Sequence, residues 1–147
     1  MKAEEVIIDA VIEASRKLPF DAVKALEKAY EEEEGNSKVV LKAILDDLDL
    51  AGSLEIPLCQ DTGMMWCWAE IGRNARVDIV KLEKLIETSL AKAFKKGLFR
   101  TSVVRDVMGE RNNTGDNLPP VINYSLTSGS DITLHFLLKG FVSENCS

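Results

Sequence analysis

The hydrophobic pattern of the chain changes near residue 53, and this change constrains the fold more than any other feature. Before it, apolar residues recur at the i, i+3, i+4 spacing of an amphipathic helix, beginning with Val6, Ile7, Ala10, Val11 and Ala14. After it, short apolar stretches are separated by Gly, Pro and Asn, which is typical of strands and loops. The sequence therefore predicts one α+β domain over residues 1–147, with a helical lead-in at 1–52 and a region of strands and functional loops at 53–147.

Local signals divide the lead-in into three predicted helices. Pro19 ends the first helix, because proline cannot continue its hydrogen-bond ladder. Asp21 is a candidate cap for the second helix, and Gly35 is its candidate stop. Ser37 is a candidate cap for a third helix, which should end near Gly52.

The second region predicts strands around one long helix. Met65 to Ile71 alternates in the manner of a strand, and Asp78 and Gly97 mark the start and end of the helix. Two further strands are predicted at Val121 to Leu126 and Ile132 to Leu138, with a Ser-Gly-Ser turn between them. The fold class is therefore α+β, in which N-terminal helices precede a mixed or antiparallel sheet with one long intervening helix.

Charge and the length of the apolar runs exclude two classes of partner. The net charge of -6 lies entirely in the first 50 residues, which hold 13 acidic and 7 basic side chains. Nucleic acid is not expected as a partner, because its binding depends on a surplus of Lys and Arg. No apolar run approaches the roughly 18–20 residues that span a bilayer, so no membrane partner is expected either. The acidic run at 31–34 lacks the spacing of a calcium-binding loop and is interpreted as a solvent-exposed face.

The cysteines and the one histidine limit the chemistry further. Cys59, Cys67 and Cys146 form an odd set without a CxxC pair, which predicts a reducing, cytoplasmic environment rather than a disulfide framework. His135, the single histidine, falls inside a predicted strand, where a structural role is favoured. A thiol enzyme that uses Cys59 with His135 is the weakest alternative, because nothing in the sequence brings the two together.

Two loops carry the first candidate functional groups. In the segment 57–63, the Cys59 thiolate could bind a metal while Gln60 and Asp61 hold a polar ligand. From the residues alone, a turn with a small buried thiol is the stronger interpretation of this segment. Farther along, Arg100 and Arg105 flank Thr-Ser, and an arginine there could clamp a carboxylate through its forked donors.

Two more segments complete the set. Residues 111–120 concentrate polar side chains around a glycine before two prolines, and such loops often simply hydrogen-bond to their own backbone. Residues 139–145 follow the last predicted strand, a position where ligands commonly meet a sheet.

Taken together, these segments resemble one family. Four motifs carry the resemblance: Cys59–Gly63, Arg100–Ser102, Asn113–Pro119, and Lys139–Gly140 with Ser143–Asn145. In this order and at these separations they resemble the class I iron-sulfur fumarases, and are most similar to the α subunit, or N-terminal domain, of fumarate hydratase and L-tartrate dehydratase. The resemblance covers almost the whole chain.

The resemblance implies a hydro-lyase in which three cysteines hold a 4Fe-4S cluster with one open iron acting as a Lewis acid. Cys59 would be the first cluster ligand. Gln60 and Asp61 would line the substrate pocket, with Asp61 taking part in proton transfer. Arg100 and the backbone near Gly140 would bind a small dicarboxylate, with fumarate and malate favoured over tartrate.

The resemblance also implies partners. The family's other two cluster cysteines follow the Ser-Glu-Asn motif and lie outside this sequence, and neither Cys67 nor Cys146 matches their positions. The family usually has glycines where this chain has Phe141 and Val142. We expect a β subunit or C-terminal domain to complete the site, a chain that is inactive in isolation, and a homo-oligomer formed through exposed apolar surface. The alternative is a truncated or degenerate relative without a cluster, acting as a non-catalytic binding or structural module.

Overall fold

A computed structural model describes residues 2–59 and 61–140. Three helices come first, followed by a strand, a long helix and two more strands: α1 (Ala3–Arg16), α2 (Phe20–Glu32), α3 (Gly35–Leu54), β1 (Met64–Gly72), α4 (Ile79–Lys96), β2 (Val121–Thr127) and β3 (Ile132–Lys139). The predicted α+β class, with helices leading and one long helix between strands, is confirmed. Among the described residues, no helix is both long enough and apolar enough to cross a membrane.

The three strands form a mixed sheet with β1 at its centre. β1 runs parallel to β2 and antiparallel to β3, so the strand order is β2-β1-β3. The Ser-Gly-Ser segment does reverse the chain between β2 and β3, but the two strands that it joins flank β1 instead of pairing with each other. The end of β1 supports this reversal, because the Arg73 and Asn74 amides donate to the carbonyls of Thr127 and Gly129.

One face of the sheet packs against α1 and α4 to form the core. Alternation along β1 places Met65 and Cys67 on this face, where they are fully buried with Val11 of α1 and Ile86 and Leu90 of α4. Each buried aliphatic side chain contributes about 1.5–3 kcal/mol to folding. The core therefore holds β1, and with it the segment that precedes β1, in a fixed position.

The boundaries of α4 agree with the sequence prediction. The Asp78 carboxylate accepts a hydrogen bond of 3.2 Å from the Lys81 amide, which caps the helix. Gly97 follows the last helical residue, and Lys95 and Lys96 lie in the last turn, where they complement the helix dipole.

The buried stripe of α1 is rotated from the prediction. Ile7, Val11, Ile12 and Ser15 are the buried residues of this helix, whereas Val6, Ala10 and Ala14 are exposed. The reason is that α1 contacts both α4 and β3, so its buried face is set by two neighbours on one side.

Three predicted helix ends in the lead-in were wrong. α2 begins at Phe20, so Asp21 lies in its first turn, where the carboxylate still interacts favourably with the helix dipole. Gly35 begins α3 instead of stopping α2, and its φ of 61° turns the chain directly from one helix into the next. Ser37 therefore lies inside α3, which continues past Gly52 to Leu54.

Candidate functional site

The segment before β1 and the end of β3 meet at one end of the sheet. Met64, the first residue of β1, pairs with Lys139, the last residue of β3. Gly63 has a φ of 63°, and a Cβ at this position would overlap the carbonyl of Lys139. Only glycine combines this left-handed backbone with so close an approach. The sequence Thr-Gly before the strand thus allows the two segments to be in direct contact.

Asp61 and Gly140, two predicted site residues, touch at this end of the sheet. A Cβ built on Gly140 would lie 2.7 Å from the backbone oxygen of Asp61 and 3.0 Å from its Oδ2 atom. Any larger residue at 140 would therefore displace the aspartate. The structure brings together two groups that are separated by more than half of the chain.

A cavity of about 370 Å³ opens beside these residues. The exposed Cys59 and the half-buried Asp61 line it. A hydrogen bond of 2.8 Å from the Leu58 amide to the Ser15 carbonyl ties this loop to the end of α1. The remaining lining residues are mostly apolar: Ala14, Ser15, Leu18, Pro57, Leu58, Thr62, Leu138 and Gly140.

Arg100 is anchored next to the same loop through its backbone. Its amide donates to the hydroxyl of the buried Thr62 at 3.3 Å, and its carbonyl accepts from Asn117 at 3.1 Å. The Arg100 side chain is exposed and makes no hydrogen bond or ion pair with the part of the chain that is described. A fixed backbone with an uncommitted guanidinium is suited to binding a carboxylate from solution.

Asn117 joins the segments, and it is fully buried. Its Oδ1 atom accepts from the amides of Ser102 and Val103, and its Nδ2 atom donates to the carbonyls of Gly63 and Arg100. Sequence reasoning placed Asn117 in a motif but did not select it as a site residue. Its signal was weak, since asparagines in polar loops usually bond to their own backbone.

Other polar groups of the 111–120 loop do bond locally. The Thr114 hydroxyl accepts from the Asn117 amide at 2.8 Å, and the Asp116 carboxylate accepts from the Leu118 amide at 3.2 Å. The Thr114 amide also donates to the Val103 carbonyl, which pairs this loop with the segment after Arg100. The 111–120 loop therefore supports the backbone of Arg100 and the segment 57–63.

Two candidate groups lie away from this site. Cys67 is buried in the core face of the sheet, and burial raises the pKa of its thiol to about 11. His135 is exposed, and its Nε2 atom lies 3.6 Å from the Glu70 carboxylate on the face of the sheet opposite the core. Gln60 and the 141–147 segment lie outside the described residues.

The described residues offer one suitable ligand for an iron-sulfur cluster. Within them, no group of three or more His, Cys, Asp or Glu side chains is arranged to hold a metal ion. Cys59 supplies an exposed thiol at the cavity, and a thiolate is the ligand that such clusters require. A cluster held by Cys59 would need further ligands from outside residues 2–59 and 61–140.

Comparison with known proteins agrees with the motifs. The chain belongs to the fumarate hydratase (Fumerase) family, whose model matches residues 4–147. This confirms the resemblance drawn from the four sequence motifs.

Relatives with curated names span more than this chain. The chain is 34% identical to a putative L(+)-tartrate dehydratase subunit alpha of Methanocaldococcus jannaschii, over 100% of this chain and 53% of the relative. It is 28% identical to a putative fumarate hydratase class I of Geobacillus stearothermophilus, over 98% of this chain and 28% of the relative. Identity to the L(+)-tartrate dehydratase subunit alpha of Escherichia coli is 23%, over 95% and 46% respectively. The chain thus spans about half or less of these relatives.

Proposed function

We propose that this chain supplies part of the active site of a hydro-lyase that reversibly adds water to, or removes it from, a small dicarboxylate. Fumarate and malate are the favoured pair, and tartrate is the second candidate. One observation carries the proposal: Cys59, Asp61 and Gly140 line one cavity, and the backbone of Arg100 is bonded to Thr62, which lines it too. The names of the relatives, dehydratase and hydratase, support the same class of reaction.

Cys59 would hold one corner of a 4Fe-4S cluster. When bound, such a cluster supplies an open iron that acts as a Lewis acid at the substrate hydroxyl. The exposed position of the Cys59 thiol leaves it accessible for this bond. Cys67 would not serve as a second ligand, because its thiol is buried in the hydrophobic core, where burial raises its pKa to about 11.

Arg100 would bind one carboxylate of the substrate. The two-pronged guanidinium matches a carboxylate in geometry and charge, and the hydrogen bonds on both sides of its peptide fix where the side chain begins. The backbone at Gly140, together with Gln60, would bind another part of the substrate. A small dicarboxylate needs donors at both ends, and Arg100 and the Gly140 backbone would supply them.

Asp61 would take part in proton transfer. Its half-buried carboxylate lines the cavity and is held against Gly140, which fixes its position relative to a bound substrate. A positioned carboxylate of this kind typically contributes about 10²–10⁴-fold to the rate.

A second polypeptide or domain would complete the site. Two of the relatives are named as α subunits, which implies a β subunit in those enzymes. We infer that this chain also acts with a β subunit or C-terminal domain, which supplies the remaining substrate contacts, and that the chain alone is inactive.

Iron and sulfide content after anaerobic reconstitution tests the proposal. The chain should be reconstituted alone and with a candidate partner, and the charge-transfer absorption of the product should be recorded.

Cys59→Ser should lose the iron while keeping the fold, because the hydroxyl is nearly isosteric with the thiol. Cys67→Ala is the matched control and should keep the iron. Iron retained undiminished by Cys59→Ser would remove this residue from the ligand set. No iron in any assembly would favour the cluster-free binding module instead.

A further inference from the structure

β2 is an edge strand, and its outer edge is open. Among the described helices and strands, β2 pairs with β1 alone. Backbone groups that point away from β1 therefore have no partner strand in the described part of the chain. Tyr124 is 41% exposed and Leu126 is 69% exposed, which shows how little covers this strand.

β2 also lacks the features that usually prevent edge strands from pairing. Its sequence, VINYSLT, contains no charged residue, no proline and no glycine. The register with β1 is continuous from Val121 opposite Trp66 to Thr127 opposite Gly72, so the strand has no bulge. The other edge strand, β3, carries His135 and Lys139. The two edges of the sheet thus differ, and β2 is the unprotected one.

The sequence of β2 is self-complementary when read in both directions from Tyr124. In an antiparallel pair centred on this residue, Val121 meets Thr127, Ile122 meets Leu126, and Asn123 meets Ser125. Each pair matches in character: two β-branched residues, two aliphatic residues and two polar residues. No like charges oppose each other in this register.

We propose that two copies of this chain associate through their β2 edges, antiparallel and centred on Tyr124, to form a continuous six-stranded sheet. A symmetric contact of this kind closes on itself and so gives a dimer. The seven residues of β2 would form roughly six to eight backbone hydrogen bonds across the axis, since alternate residues exchange two bonds each.

The proposal also accounts for Leu126. The register places Ile122, Tyr124 and Leu126 on the helix-covered face of the sheet, where Ile122 packs against the core and the Tyr124 hydroxyl donates to Glu83 at 2.8 Å. Leu126 is the most exposed member of this row, at 69% against 41% for Tyr124. In the dimer it would lie against Ile122 of the second copy, which removes apolar surface from water.

Sedimentation equilibrium of the wild-type chain, with two variants, tests the surface. The average mass of the wild type should rise with protein concentration, from that of one chain to that of two. Leu126→Lys should shift the association midpoint at least 10-fold toward the monomer, because it places a charge against an aliphatic partner. Leu54→Lys is the control, since Leu54 is also exposed, at 62%, but lies at the end of α3. Circular dichroism should show that both variants are folded. A monomeric wild type, or a dimer that Leu126→Lys leaves unchanged, overturns the proposal.

Cysteine cross-linking tests the register. In a background with Cys59→Ser and Cys146→Ser, Tyr124→Cys should form a disulfide-linked dimer under mild oxidation, because residue 124 faces its own copy. Leu126→Cys is the control on the same strand and should not cross-link, since the two copies of residue 126 are separated by four residues of strand on the facing chain, about 13 Å. Equal cross-linking at both positions contradicts the register.

Discussion

The side-chain amide of Asn117 donates a hydrogen bond of 2.7 Å to the carbonyl oxygen of Gly63, across 54 residues of sequence. The same nitrogen donates to the Arg100 carbonyl, and the side-chain oxygen accepts from Ser102 and Val103. Buried backbone groups need such partners, because an unpaired one costs free energy. One side chain thus joins the loop that carries Cys59 to the segment that carries Arg100.

Asn117→Ala should therefore lower the free energy of unfolding by about 3–4 kcal/mol, because four backbone groups lose their partner, two of them in buried and two in part-buried hydrogen bonds. Its φ of 54° adds strain, since alanine tolerates a left-handed backbone less well than asparagine. Urea unfolding followed by circular dichroism measures this change.

Asn113→Ala is the matched control for this variant. Asn113 lies in the same loop and bonds to Thr101 and Gly115, but it is exposed, so water can replace those bonds. The expected loss is about 1 kcal/mol or less. Equal losses for the two variants would contradict the joining role of Asn117.

Gly63→Ala should destabilise the chain much more than Gly35→Ala. Both glycines have nearly the same left-handed backbone, with φ of 63° and 61°. A Cβ at Gly35 meets no atom within 4 Å, whereas one at Gly63 overlaps the Lys139 carbonyl. Gly35→Ala should cost about 1–2 kcal/mol from strain alone, and the overlap should add about 1–3 kcal/mol at Gly63. Thermal unfolding of the two variants separates the terms, and similar midpoints would argue against close contact at the candidate site.

Local sequence signals predicted helix ends best where the stabilising group lies only a few residues away. Asp78 and Gly97 bound α4 as predicted, since a cap depends only on residues a few positions away. Gly35 was assigned to the wrong helix, because a left-handed glycine can equally end one helix or lead into the next. The rotated stripe of α1 had a different cause: its buried face depends on α4 and β3, which the local pattern does not contain.

The candidate site follows the same division. Cys59, Asp61, Arg100 and Gly140 could be selected from motifs, and the structure places Asp61 against Gly140 and the backbone of Arg100 against Thr62. The part played by Asn117 could not be predicted. Its partners are distant in sequence, and asparagines in such loops usually bond locally, as Asn113 does with Gly115.

The buried thiol of Cys67 should make stability depend on alkaline pH. Burial raises its pKa from 9.0 to about 11, so the folded chain holds this proton more tightly than the unfolded chain does. The resulting stabilisation is fully present below pH 9 and is lost as pH rises through 11. Urea midpoints measured between these values should fall as pH increases. Cys67→Ala should show a shallower fall, and an unchanged slope would mean that the thiol is not the titrating group.

Arg100→Gln should impair substrate binding without weakening the fold. The hydrogen bonds of residue 100 to Thr62 and Asn117 involve its backbone, so they survive the substitution, and the side chain is exposed. Loss of a charge-assisted, two-pronged contact to a carboxylate costs about 1.5–3 kcal/mol, which corresponds to a KM raised roughly 10–100-fold. Steady-state kinetics of the chain assembled with its partner, on fumarate and on tartrate, measure this change.

Arg105→Gln is the control, because Arg105 is also exposed and its backbone amide likewise donates a hydrogen bond, to the carbonyl of Asn112. It should leave KM unchanged, and Arg100→Lys should recover only part of the binding, since lysine keeps the charge but not the fork. Equal KM values for Arg100→Gln and the wild type would remove Arg100 from the substrate site.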